Sequence, residues 1–305
     1  MSHALQVNET VQISRVSHRL ALGIQWMDAL TRRPADGALL CDLEAIGGRA
    51  LTLRFDEHQQ SRHALRSAGR LASILKVAAA DKAHSPPIKP EDDQTNFCLR
   101  TFAARNRKTG TYSIDQDPRQ FVPRRLSLTP VQNNGLPVGS AENIRQAWLW
   151  PGAAYPLASN TTAIRGRIQQ GPDLAHATPV PWVRVVVTLL GAMPINFSNE
   201  IRVGWGHGDD RGEFLVVLGP QAVPGGAILP QSLALRLWVF LPSAVVLDEH
   251  DPLASLPLEY AGTDSLNDVL RGIETPAGYT RQAPVDVELR PGEVLAMNDA
   301  VLLFP

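Results

Sequence analysis

His207, Asp209 and Asp210 stand together in GWGHGDDRG (204–212), where one imidazole and two carboxylates are close enough in sequence to share a cation, as in a metal-dependent hydrolase. Zinc needs three or four ligands in a fixed geometry and hard cations need a cage of oxygens, and no second cluster follows to complete either. The competing reading is a Gly- and Asp-rich reversal between NEIRVGW and EFLVVL, its Asp side chains accepting from nearby backbone amides. LDEHDP (247–252) sets three acids around His250, a density that usually marks a solvated loop. RQFVPRR (119–125) has an aromatic among its arginines, which suggests nucleic acid but fits a surface strand with salt-bridged edges better. Trp148, Trp150 and Tyr155 either wedge between two domains or anchor a partner protein. No GxGxxG, Gly-rich Lys-Ser/Thr loop, HExxH or GxSxG occurs, so no catalytic residue, metal ligand or cofactor is assigned.

These residues sit among short strands. VSHRLALGIQW (16–26) puts Leu20, Leu22, Ile24 and Trp26 on one face at period two, MDALTRRPADG reverses the chain, and LLCDLEA and ALTLRF resume the alternation. Between His58 and Lys82, apolar residues at spacings of three and four fit a short helix, while RLASILKVAAA also fits a strand of the same sandwich. AHSPPIKPEDDQT (83–95) is expected to be an exposed loop, and a last strand is expected at Arg124 to Thr129. After Thr161, AIRGRIQQ, PWVRVVVTLL, NEIRVGWG, GEFLVVLG, SLALRLWVFL and VDVELRPG are strands punctuated by turns, and SLNDVLRGI (265–273) is a short helix with Gly272 near its end. The fold class is therefore all-β, with two Ig-like or transthyretin-like Greek-key β-sandwich domains and one or two short helices. The expected organisation is an N-terminal arm at 1–15, a first sandwich at 16–130, a linker at 131–160 and a second sandwich at 161–305.

The chain has 305 residues with 29 Lys+Arg against 30 Asp+Glu, a balance that gives no general field toward phosphates or anionic lipid. No nucleic acid and no membrane span are expected, because Arg184, Gly191 and Pro194 interrupt the most apolar stretch. The opening MSHALQVNETVQ lacks the features of a secretory signal, so synthesis in the cytoplasm is expected. Cys41 and Cys98 form no CxxC or Cys/His spacing and read as free buried thiols, a single bridge between sheets being the other option.

The order AIRGRIQQGPD, PVPWVRVVVTLL, VGWGHGDDRGEFLVVL resembles carboxypeptidase regulatory-like domains, small transthyretin-like sandwiches. The matching positions are Gly166 and Ile168, then Pro181, Val183, Val185 and Val187, then Asp209, Asp210, Gly212, Phe214 and Val216. The resemblance implies that Asp209, Asp210 and Gly212 make the turn reversing two antiparallel strands and that Phe214 drops into the core. Such domains accompany catalytic domains as non-catalytic modules. More widely, the segments at Trp26 to Pro34, Phe121 to Pro130 and WLWPGAAYPL resemble proteins of phage-tail-like contractile particles, where such chains are structural components.

The expected function is that of a non-enzymatic structural or adaptor component of a large protein assembly such as a phage tail or contractile injection particle. Its partners would be other subunits, copies of itself included. Trp148, Trp150, Tyr155, Leu302, Leu303 and Phe304 are the candidate partner-binding residues, the last three because VLLFP (301–305) could pair with a neighbour's sheet edge. The alternative is a carbohydrate- or peptide-binding module with Trp148, Trp150, Tyr155, Trp182 or Trp205 as a stacking platform.

Overall fold

In the computed structural model the described residues are 19–67, 69–84, 96–104, 112–128, 144–191, 195–219, 222, 230–243, 248, 250–260 and 266–305. In chain order they form β1 (Arg19–Asp28), β2 (Leu39–Ile46), β3 (Arg49–Arg54), β4 (Asp56–His58), β5 (Arg62–Ser67), α1 (Gly69–His84), β6 (Phe97–Ala103), β7 (Arg124–Leu128) and β8 (Ile144–Leu149). There follow β9 (Ala163–Arg167), β10 (Gln169–Gln170), β11 (Thr178–Pro179), β12 (Arg184–Leu189), β13 (Arg202–His207), β14 (Glu213–Val217) and β15 (Leu233–Pro242). The remaining elements are β16 (Glu259–Tyr260), α2 (Leu266–Arg271), β17 (Tyr279–Arg281), β18 (Val285–Leu289), β19 (Val294–Ala296) and β20 (Leu303–Phe304). The protein is all-β, with two α-helices among the described residues.

One sandwich sets the sheet β4-β5-β1-β8 against β16-β7-β6-β2-β3. Its core joins Leu22, Ile24 and Trp26 of β1 to Leu43, Leu99 and Leu126 of the facing sheet, as the period-two spacing in β1 requires. Asp28 ends β1 by accepting at Oδ1 from the amides of Leu30 (2.8 Å) and Thr31 (3.3 Å), which reverses the chain within MDALTRRPADG as expected. The segment left open between helix and strand is helical. Gly69, at φ +53°, breaks the extended path of β5, and Leu71, Ile74 and Leu75 then seat one helical face on the core. Of the loop expected at 83–95, residues 85–95 lie outside the described residues, as does the arm at 1–15.

Two sequence readings are corrected here. The stretch read as a linker without sustained period contains β8, which pairs in parallel with β1 from Gly23↔Ile144 to Asp28↔Leu149. The basic run read as a surface strand begins β7 with Arg124, which is 0% exposed because β7 lies between β6 and β16.

The second sandwich faces β13-β12-β15, extended by β17 and β18 along the other side of β15, with the sheet β14-β9-β19; β11-β10-β20 forms a small third sheet. Its six expected strands all appear. Phe214 drops into the core as expected, beside Val183, Val185, Val187 and Val216. The turn after β13 differs from the expected hairpin. Residues 208–212 reverse the chain but carry it from one sheet to the other, with Gly208↔Phe214 as the single bridge and the Asp209 amide donating to the Glu213 carbonyl at 2.9 Å; Gly212, at φ +70°, faces the carbonyls of Ile168 and Val180 at distances no Cβ could tolerate. The terminal strand is also used internally. β20 pairs in parallel with β10 through Gln169↔Leu303 and Gln170↔Phe304, burying Leu302 and Phe304 and half-burying Leu303. β20 is nonetheless an outer strand of the order β11-β10-β20, so only one of its two edges is paired among the described strands, while Leu302 and Phe304 are themselves buried.

Candidate functional site

The residues that appear as separate candidates in the sequence meet along one seam between the sandwiches. Arg124 of β7 donates from Nε to Glu259 Oε1 at 3.0 Å and from Nη2 to Oε2, while its Nη1 reaches the carbonyls of Trp148 (2.7 Å) and Leu270 (2.8 Å). Arg184 of β12 approaches the same carboxylate from the other sandwich, with Nη2 3.2 Å from Glu259 Oε1 and its guanidinium over the Tyr279 ring at 5.7 Å. All three ionic side chains are at most 3% exposed, so each charge depends on the others for the solvation it has lost. The chain reaches this arrangement by returning, after the second sandwich has begun, to add β16 to the first sandwich's sheet beside β7.

A second contact uses the Asp-Gly turn. Asp209 Oδ1 accepts from the amides of Arg211 and Glu213, both at 2.9 Å, while its Oδ2 accepts from Arg119 Nη1 across the seam. Asp210 Oδ1 lies 3.3 Å from the same Nη1. Asp117 holds this loop of the first sandwich by accepting from the Arg119 amide (2.8 Å) and the Tyr112 hydroxyl (3.1 Å). Burial, reinforced by the neighbouring Asp210, pushes the Asp209 carboxyl up to about 6. Burial also raises Asp117 and Asp210.

His207 ends β13 within the seam. Its Nε2 donates to the Gly272 carbonyl at 2.8 Å, and its ring lies 5.8 Å from that of Trp150. Burial, with Arg184 and Arg124 close by, holds the imidazole well below its ordinary pKa, so the ring is neutral and Nε2 carries the proton. Gly272, at φ +68° just after α2, is required twice: its backbone is left-handed, and a Cβ there would stand 2.9 Å from both His207 Cε1 and Trp150 Nε1. His207 and the two aspartates thus face different partners. Among the described residues no three His, Cys, Asp or Glu side chains are grouped as a metal would need.

Two of the candidate aromatics, Trp150 and Trp182, pack this same seam. Trp150 is 5% exposed and donates from Nε1 to the Arg271 carbonyl at 2.8 Å, its ring 6.2 Å from Trp205 and 6.5 Å from the half-buried Trp148. Tyr155 donates to Asp28 Oδ2 at 2.6 Å and meets Phe121 edge-on at 5.7 Å. Trp182, fully buried at φ +61°, fills a small core of Leu40, Phe102, Tyr112, Leu253 and Leu256 and donates from Nε1 to Ser255 Oγ at 3.0 Å. The wedge reading describes Trp150 and Trp182, which lie between the sandwiches and present no free face, so both are withdrawn as exposed anchors or stacking surfaces. Tyr155 packs within the first sandwich, and Trp148, Tyr155 and Trp205 are half-buried.

The remaining candidates are dispersed. Asp251 of LDEHDP pairs with Arg100 Nη1 at 2.6 Å, whereas Asp248 and His250 are exposed 3.6 Å apart and Glu249 lies outside the described residues. Arg125 binds Glu44 at 2.6 Å, so all three arginines of the basic run are ion-paired. Cys41 and Cys98 are free thiols whose pKa burial raises. A cleft of about 510 Å³ beside Tyr260 is lined in part by Arg125, Ser243 and Tyr279. Its Ser243 hydroxyl is spent on the Gly278 carbonyl. Glu259 carries no local signal in the sequence, and Arg184 reads there only as an interruption of an apolar stretch. An arginine at the head of the apolar run VRVVVTLL was the available signal, because a charge in a buried strand demands a counter-charge.

No family model and no curated protein matches this chain. Among solved structures it is similar to the Bacillus anthracis TIE protein at 8% identity and TM-score 0.21, over 92% of this chain and 33% of that one. The chain therefore spans about a third of that protein's length. It is similar to GBS52, the minor pilin of Streptococcus agalactiae, at 9% identity and TM-score 0.20, over 92% of this chain and 94% of that one. It is also similar to a putative cell adhesion protein from Bacteroides fragilis, at 8% identity and TM-score 0.18 over 90% and 91%. At these scores the likeness supports neither a family nor an activity, and the seam is what bears on function.

Proposed function

We propose that this chain is a non-enzymatic structural or adaptor component of a larger protein assembly, its two sandwiches acting as one rigid spacer between other protein subunits. The single observation that carries this reading is the seam. The side chains best suited to chemistry, His207, Asp209 and Asp210, are at most 4% exposed there and are held by Gly272 and Arg119, so they brace the two halves where a substrate could not reach them. A finer reading, a component of a phage tail or phage-tail-like contractile particle made in the cytoplasm, rests on the sequence resemblance alone. Sedimentation of the native protein from its source, with mass spectrometry of what travels with it, tests both. Co-sedimentation with a megadalton particle containing tube or sheath subunits supports the finer reading, and a different large particle supports only the coarser one. Migration as a lone small species contradicts both.

A further inference from the structure

Seven buried side-chain nitrogen or oxygen atoms have no hydrogen-bond partner among the described residues, and five of them belong to the seam: Arg119 Nη2, Asp210 Oδ1, Arg184 Nε, Trp205 Nε1 and His207 Nδ1. Arg124 shows how completely a charged group can be met there. Its five N–H groups are all used, on Glu259 and on the carbonyls of Trp148, Val269 and Leu270. A buried polar atom left unmet costs more than a hydrogen bond contributes, so five in one interface call for a partner.

The five atoms fall into two groups. In the first, Arg119 Nη1 bonds Asp209 Oδ2 and stands 3.3 Å from Asp210 Oδ1 without the alignment of a hydrogen bond. Nη2 of the same planar fork therefore lies within about two hydrogen-bond lengths of that oxygen, the span of one bridging molecule. One of these atoms donates and the other accepts. In the second group, Arg184 and His207 are registered partners on β12 and β13, and Trp205 precedes His207 by two residues on the same face. The Trp205 and His207 rings stand 6.2 and 5.8 Å from the one Trp150 ring. Arg184 Nε and Trp205 Nε1 only donate, and His207 Nδ1, with the ring proton on Nε2, only accepts. A cation would meet the acceptors of each group and leave the donors, and an anion would do the reverse. An oxygen that both donates and accepts meets every one of them, and two donors with one acceptor use three of water's four hydrogen bonds.

We infer that the seam is a hydrated joint with two internal water sites, one bridging Arg119 Nη2 to Asp210 Oδ1 and one shared by Arg184 Nε, Trp205 Nε1 and His207 Nδ1. Arg184, His207 and Asp210 are at most 4% exposed, so water held by them exchanges only when the two sandwiches part. Its residence time then measures how seldom the seam opens. The inference does not rest on the assembly reading, since the seam of a protein with any function would be hydrated in the same way.

The test is a crystal structure of the full chain in which ordered water is visible, from crystals grown once in a rubidium salt and once in a bromide salt, whose anomalous scattering separates an ion from water. The expected result is a single oxygen at each site, about 2.7–3.2 Å from the named atoms and without anomalous signal in either salt. In solution, magnetic relaxation dispersion of oxygen-17 water counts the waters that outlive molecular tumbling. Asp210→Leu, which removes the acceptor and fills its space, is expected to lose one such water, whereas Asp210→Asn, which keeps an acceptor oxygen, retains it. If Asp210→Leu does not fold, the wild-type crystals decide alone. Named atoms that pair directly with one another overturn the inference, as does a rubidium or bromide peak at either site or a water count that Asp210→Leu leaves unchanged. None of these failures touches the assembly reading, which is judged by the particle with which the native protein sediments.

Discussion

β12 and β13 have one end in the seam and one at the far edge of the second sandwich, and the two ends invert the usual distribution of residues. At the seam the strands terminate in Arg184 and His207, a cation and an imidazole sealed from water. At the far end they lead into Leu190 and Ile201, apolar side chains left in it. The difference is one of partner supply. Arg184 is tolerated inside because Glu259 and the Trp182 and Val183 carbonyls replace its lost hydration, whereas Leu190 and Ile201 are exposed because no further element of the described chain covers them. The first end is an interface completed within the chain, and the second leaves apolar side chains in contact with solvent.

The largest expected effect comes from removing the charge that serves both sandwiches. Glu259→Gln leaves Arg124 and Arg184 buried without a counter-ion and is expected to lower the unfolding free energy by about 3–5 kcal/mol in urea denaturation. The exposed pair Arg66–Asp56, with side chains 48% and 50% exposed, is the control, and Asp56→Asn is expected to cost less than about 1 kcal/mol. Gly272→Ala comes next. It forces a left-handed alanine whose Cβ meets His207 and Trp150, a loss of about 1–3 kcal/mol measurable as a fall in melting temperature.

The pH dependence separates two groups at the seam itself. Asp209 titrates near 6 in the folded chain and near 4 when unfolded, so between those values the folded state holds the extra proton and stability falls as pH rises. His207 has the opposite sign: its folded pKa is lowered, the unfolded chain takes up a proton below about 6.5, and stability falls as pH falls. Relative to wild type, Asp209→Asn is therefore expected to lose stability progressively from pH 6 to pH 4, and His207→Gln to gain it over the same range. Parallel profiles for the two variants would remove both assignments. The smallest effect on folding is expected at the far end, where Ile201→Asp, at a side chain that is 65% exposed, should change stability by no more than about 0.5 kcal/mol.

What the sequence made legible was local. Period two placed β1, short apolar runs between turn clusters placed the six principal strands of the second half, MDALTRRPADG placed the first reversal, and the 265–273 pattern placed α2 with its glycine stop. α1 stayed ambiguous because an apolar run with small residues satisfies both periods, and the decision lay in the φ of Gly69. The seam was legible only in halves. Arg119 and Asp209 are 90 residues apart, and Arg124 and Glu259 are 135 apart. Each half alone resembles a solvated loop, since charged side chains are rarely buried until a distant partner is known. The hairpin expected at 208–212 failed for a related reason: Gly and Asp announce a turn but not whether the chain stays in one sheet. The exposed far end had no local signal, because residues such as Leu190 and Ile201 look like core until the sheet shows that nothing lies over them.

The measurement closest to the centre of this picture is calorimetric unfolding of the wild type and of Glu259→Gln, since the seam is what makes two sandwiches one body. The expected result is a single cooperative transition for the wild type, with calorimetric and van't Hoff enthalpies equal, resolving into two transitions in the variant. Two well-separated transitions in the wild type, unchanged by Glu259→Gln, would mean that the halves fold and move independently and that the chain is no rigid spacer.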